Sequence, residues 1–244
     1  MTTEAQSTDA TATDAQHHAP TGSAAGDGAQ VSGASRLFIL WEIASVTISF
    51  LIVMWIALPL GGGNKLLGAL PLSVAFVLIL LSHHARGERP RDLGWRLDNF
   101  ARAARLLILP MLAAAIILFA IGWVSDSFHG HKFARWQWVG WLFVWGLLQQ
   151  YVLHGFINRR AQELWGRGGR SILLVAAIFA LLHLPNPWLT LATFAAGAVW
   201  AAVYQRVPNL PALALSHALM SMLLVWSLPP AFIKSLRIGF KYFG

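Results

Sequence analysis

The sequence predicts an all-α, polytopic transmembrane helix bundle of about seven spans (six to eight), and three observations carry that expectation. Of 244 residues, 57% are hydrophobic and only 11% are charged, against about 25% charged in a soluble domain. So little polar surface does not coat a globule in water, whereas a lipid-facing exterior does without it. The apolar residues are gathered into runs that suit a hydrocarbon core of about 30 Å, which takes roughly 17–25 helical residues to cross. Twelve Trp fit a protein anchored at two membrane interfaces.

Taken in order, residues 1–35 are rich in Ala, Thr, Gly, Ser and Asp and hold no long aliphatic run. They bury too little to offset ordering entropy, which predicts a disordered cytoplasmic tail. Its acidic residues (Glu4, Asp9, Asp14, Asp27) fit neither a secretory signal nor an Arg-rich transit peptide. Residues 36–244 form the expected transmembrane domain, with spans near 37–60, 66–82, 106–124, 139–158, 171–185, 188–204 and 210–228. The fifth and sixth, separated by Asn186–Pro187, read as a tight hairpin. From Pro229 onward Phe, Ile and Leu alternate with Lys234, Arg237 and Lys241, which predicts an interfacial helix.

The chain has no Cys and a net charge of +8. Disulfides, thiolate metal sites and a Cys nucleophile are excluded. The positive charge sits in short loops between apolar runs, so the expected partners are membrane lipids with anionic headgroups, and no nucleic acid. Loop 83–105 holds Arg86, Arg89, Arg91, Arg96, Arg102 and Arg105, and loop 159–170 holds Arg159, Arg160, Arg167 and Arg170. The opposite loops offer Lys65, Lys132 and Arg135. That bias places the N-terminus in the cytoplasm, and seven spans then leave the C-terminus outside. Loop 83–105 is expected to lie along the cytoplasmic surface.

Polar side chains at membrane depth are costly, so they are paired or functional. Gln149, Gln150 and His154 fall in the fourth span, His183 at the end of the fifth, and Ser216, His217 and Ser221 in the seventh. Residues four apart share a helical face. This puts Gln150 with His154, Phe179 with His183, and His217 with Ser221, on three helices able to converge on one polar pocket. Structural hydrogen bonding between helices is the competing reading of each residue alone. Glu42, near the start of the first span, is expected to snorkel to the interface, and Glu163 to pair with a neighbouring Arg.

Three segments, QQYVLHGFINRR, FALLHLPNPW and LALSHALMS, resemble the CPBP family of intramembrane proteases, which includes CAAX-prenyl endopeptidases and bacteriocin-processing relatives. The family motifs are Glu-Glu-x-x-x-Arg, Phe-x-x-x-His and His-x-x-x-Asn, and the resemblance covers roughly residues 140–225. It retains Phe179, His183 and His217, and departs at Gln149 and Gln150 (for the paired glutamates), His154 (for Arg) and Ser221 (for Asn). The resemblance implies an endopeptidase that hydrolyses a peptide bond in a membrane-associated protein or peptide substrate, in the inner (plasma) membrane of a bacterium. In the family the glutamate activates water, while the histidines and asparagine bind water or the oxyanion.

A glutamine has no basic charge near neutral pH, and losing a general base costs about 10²- to 10⁴-fold. Three chemistries therefore stay open. Gln150 orients the water while His183 or His217 takes its proton, with Ser221 as oxyanion donor. Alternatively His154, His183 and His217 bind a divalent metal such as zinc, as three His plus water do in catalytic sites. In the third, the site is inactive and retained as a binding or scaffold surface. A small transporter, or a haem-binding bundle with His183 and His217 as axial ligands, are the readings from other classes. His-Glu-x-x-His, Gly-x-Gly-Asp and an intramembrane Gly-x-Ser-Gly are all absent.

Overall fold

A computed structural model describes residues 33–60, 64–128 and 136–243. The chain divides after residue 30 into two units. The expected disordered tail falls almost wholly in the first unit and, up to residue 32, lies outside the described residues. The second unit is an all-helical polytopic bundle, with no strand among the described residues.

Its elements are α1 (Gly33–Ile52), continued by a π-helical stretch Val53–Ala57; α2 (Lys65–Ala85); α3 (Phe100–Val124); α4 (Trp136–Gln150). From α4 a π-helical stretch Tyr151–Asn158 leads without a break into α5 (Arg159–Trp165). Then follow α6 (Gly169–Leu181), α7 (Pro187–Arg206), α8 (Leu210–Ser227) and the short α9 (Pro230–Ile233). Asn186 and Asn209 start α7 and α8 in the same way. Each Asn side chain accepts a backbone N–H three residues on, from Leu189 at 3.2 Å and Ala212 at 2.8 Å, and each helix has Pro in its first turn, where no N–H is needed.

Among the described residues five helices are long and apolar enough to cross a membrane, roughly consistent with the expected polytopic bundle. The expected fourth span lies within the continuous run Trp136–Trp165, which the π-helical stretch interrupts. The expected fifth span becomes α6, of only 13 residues. Only 11% of the apolar window of α3 is buried inside the bundle, against 39% in α7 and α8. Thus α3 faces lipid while α7 and α8 form the interior, α7 pairing with α6 as a hairpin and α8 packing between α3 and α4.

One end of the bundle is tied by a buried ionic cluster. Arg160, fully buried, donates to Glu88 at 2.7 Å, to Glu163 at 2.5 Å and to Ser82 Oγ at 3.0 Å. Arg86 bridges Glu42 at 2.6 Å and Glu163 at 3.1 Å. Glu163 thus pairs as expected, but Glu42 does not snorkel: Arg86 comes to it and joins α1 to α2 and α5. Loop 86–99 is clasped to the same end of the bundle. Tyr204 Oη donates to Leu93 O at 2.9 Å, Leu210 N to Gly94 O at 2.9 Å, and Asn209 Nδ2 to Arg96 O at 2.8 Å. Arg102 and Arg105, assigned to this loop in the sequence, stand on the first turns of α3.

Gly94 sits at φ +92°, and a Cβ there would lie 3.1 Å from Asn209 N and 3.2 Å from Leu210 N, both backbone atoms. Gly94→Ala is expected to lower stability by about 1–3 kcal/mol, read as the shift in thermal unfolding. No shift would mean that the clasp gives way freely.

The C-terminal segment is not one interfacial helix. It is α9 followed by two 3₁₀ turns, folded back onto the far end of the bundle. Gly239 N donates to Leu184 O at 2.8 Å, Asn186 Nδ2 to Ile233 O at 2.9 Å, and Phe240 packs edge-on against Trp55 at 5.2 Å. Residues 184 and 186 belong to the α6–α7 turn and Trp55 to the far end of α1. The start of α1 and this segment therefore lie at opposite ends.

Candidate active site

The expected convergence of α4, α6 and α8 occurs. Gln150, the last residue of α4 and fully buried, directs its amide nitrogen at His217 Nδ1 on α8, 3.1 Å away. Phe179 on α6 packs edge-on against His217 at 5.9 Å and against His183 at 4.8 Å. Two glycines bring these helices together. A Cβ at Gly146 on α4 would stand 3.3 Å from Ala214 O on α8, and one at Gly197 on α7 3.3 Å from Ala176 and Phe179 on α6.

The backbone fixes the proton of His183. Its Nδ1 lies 2.7 Å from Phe179 O. A carbonyl only accepts, so Nδ1 carries the hydrogen and Nε2 of the neutral ring keeps a lone pair. At His217 the amide nitrogen of Gln150 faces Nδ1, and with the amide turned this way the ring hydrogen is on Nε2. One imidazole thus offers an acceptor and the other a donor. Both are half-buried, whereas Gln150 has no exposed surface.

His154 stands one turn on from Gln150, within the π-helical stretch that begins at Tyr151. Gln150 meets α8, while the ring of His154 stacks on Tyr204 of α7 at 5.6 Å and its Nδ1 lies 3.3 Å from Asn158 Nδ2. Among the described residues no three His, Cys, Asp or Glu side chains form a group suited to an ion. His183 Nδ1 is held by its own backbone and His154 Nδ1 lies against Asn158. Gln149 is partly buried with its Oε1 unpartnered, and Ser221 lies half-buried one turn beyond His217.

Sequence reasoning missed Trp200 of α7, which stacks on His217 at 4.8 Å and approaches Phe179 at 6.0 Å. It forms an aromatic wall behind the imidazole. It also missed Asn158 and Gln205, both buried; the available signal was a pair of amides inside otherwise apolar helices. No carboxylate takes part in any of these contacts, since Glu42, Glu88 and Glu163 are bound to arginines at the end of the bundle.

A family model described as Rce1-like, type II CAAX prenyl endopeptidase Rce1-like, matches residues 131–223, which is consistent with the CPBP family. The match includes Gln149, Gln150, His154, Phe179, His183, His217 and Ser221. No curated protein and no solved structure matches the chain.

Proposed function

We propose that this integral membrane protein is an intramembrane endopeptidase of the CPBP type, which hydrolyses a peptide bond in a membrane-associated protein with an imidazole in place of the family's carboxylate base. The observation that carries the reading is the opposite setting of two imidazoles that share Phe179: His183 Nδ1 on a backbone carbonyl, which leaves Nε2 a lone pair, and His217 Nδ1 facing the amide nitrogen of Gln150, which favours Nε2–H. His183 Nε2 takes a proton from water as the water oxygen bonds to the scissile carbonyl carbon. His217 Nε2–H meets the oxygen that becomes negative. Protonated His183 then gives its proton to the leaving amine as the C–N bond breaks. Gln150 acts through His217, holding it in the donor tautomer. The arginine distribution supports a cytoplasmic N-terminus, and the family supports the inner membrane of a bacterium.

The test is cleavage of a tethered membrane substrate by the full chain in proteoliposomes, wild type against His183→Ala. Equal cleavage overturns the reading. A second reading, an inactive relative that binds a peptide or helix, draws on the lack of any carboxylate contact at the site. It is supported if wild type binds the substrate and leaves it intact.

Gln150→Glu separates the two readings further. A carboxylate base is worth about 10²- to 10⁴-fold. At this position it also takes the proton of His217 onto Nδ1 and removes an oxyanion donor worth about 10²- to 10³-fold. The expected net result is a rise in cleavage of about tenfold. A fall of well over tenfold would mean that residue 150 does not face the reacting water.

A further inference from the structure

Two fully buried polar atoms on successive turns of one helix have no partner among the described residues: Gln150 Oε1 and His154 Nε2. The hydrogen-bonding character of the second is set from far away. Gly168 N, a backbone donor, gives its hydrogen to Gln205 Oε1 at 2.9 Å. The other end of that amide is therefore the nitrogen, which donates to Ser171 Oγ at 2.9 Å and to Asn158 Oδ1 at 3.0 Å. Asn158 Nδ2 then faces two acceptors, Ala201 O at 3.3 Å and His154 Nδ1 at 3.3 Å. The carbonyl of Ala201 leaves no choice about which end of Asn158 is the nitrogen. So His154 Nδ1 is an acceptor, and the ring hydrogen must stand on Nε2. An unpartnered donor on His154 thus stands one helical turn from an unpartnered acceptor on Gln150.

Their neighbours place these atoms in adjacent layers. Gln150 lies with His217 against Trp200, and His154 lies against Tyr204. Trp200 and Tyr204 share one face of α7, a single turn apart. Leaving two such atoms bare at this depth is costly. A small molecule that accepts from one and donates to the other removes that cost, and water in a polar site with two to four partners does so.

We propose that an internal water bridges His154 Nε2–H to Gln150 Oε1, completing a one-directional hydrogen-bond chain from Gly168 N–H, through Gln205, Asn158, His154 and Gln150, to His217 Nε2–H. Every member accepts on the loop side and donates on the site side. His154, Asn158 and Gln205 are positioning residues: they act on the reacting atoms only through His217, whose donor tautomer the chain favours. The catalytic consequence rests on the protease reading; the chain and its water do not.

The test uses the full protein in lipid bilayers with ¹⁵N-labelled histidine, observed by solid-state NMR and assigned with His154→Phe and His217→Ala. The expected spectrum shows His154 and His217 both protonated at Nε2, with magnetisation passing from water to His154 Nε2–H. Protonation of His154 at Nδ1, or no transfer from water, overturns the proposal. Asn158→Asp replaces the donor by an acceptor and is expected to move the His154 hydrogen to Nδ1. Should that variant not fold, the wild-type spectrum decides alone. In the cleavage assay His154→Phe, which keeps the stacking on Tyr204, is expected to lower kcat about tenfold with KM unchanged. An unchanged kcat beside the expected spectrum overturns the positioning role while leaving the water in place.

Discussion

Replacing Arg160 by leucine is expected to destabilise the bundle by about 3–5 kcal/mol, the usual result of removing one partner from a buried ion pair. The guanidinium is wholly buried and serves Glu88, Glu163 and Ser82 together, with Phe156 beneath it at 5.3 Å. Leucine fills part of the volume but leaves carboxylate oxygens facing a hydrocarbon side chain. Thermal unfolding in detergent reads the effect, and a loss under about 1 kcal/mol would show that the remaining cations take over. Arg160→Leu with Glu88→Gln is expected to recover part of the loss, since the stranded charge is then gone.

The same cluster sets an acid limit. Burial alone would raise the carboxyl of Glu88, but hydrogen bonds from His83 and Arg160, with the charge of Arg160, hold it well below its ordinary 4.5. A carboxyl depressed by folding contributes stability that is complete above its unfolded value and is lost as pH falls through the folded one. Acid unfolding well below pH 4.5 is therefore expected to be blunted in Glu88→Gln, relative to that variant's own stability at neutral pH.

His183→Ala is expected to lower cleavage by about 10²- to 10⁴-fold, the worth of a general base. The variant removes the only site imidazole with a free Nε2 lone pair, yet the bond it deletes is local, from the ring to a carbonyl one turn earlier. The fold should persist, and unfolding curves check this. His183→Gln keeps a polar side chain of similar reach without basicity and is expected to fall as far. If either variant cleaves within about threefold of wild type, His183 is not the base.

The parts legible in the sequence were those where a polar residue interrupts an apolar run. Gln150, His183 and His217 stand out for that reason, and their three helices do meet. The contact of His154 with Tyr204 of α7 was not legible, because nothing in Tyr151–Asn158 says which neighbouring helix that face meets. Trp200 was not legible: α7 is apolar nearly all round, so its pattern does not say which side looks inward. Asn158 and Gln205 were overlooked because arginines follow them and mark the ends of spans. The length of α6 was overestimated because Leu182 and Leu184 prolong the apolar run, although Pro185 and Pro187 signal that the helix has stopped. Glu42 was read alone; the arginine that meets it is 44 residues away in sequence.

The brevity of α6 has a consequence for the end of the bundle where it stops. Thirteen residues rise about 20 Å, against a hydrocarbon thickness of about 30 Å. The irregular turn after Leu181, with the ring of His183 on it, is thus set well below one face of the slab. The C-terminal segment, hydrogen-bonded to Leu184 and Asn186, covers this end and makes up for the length that the helix lacks.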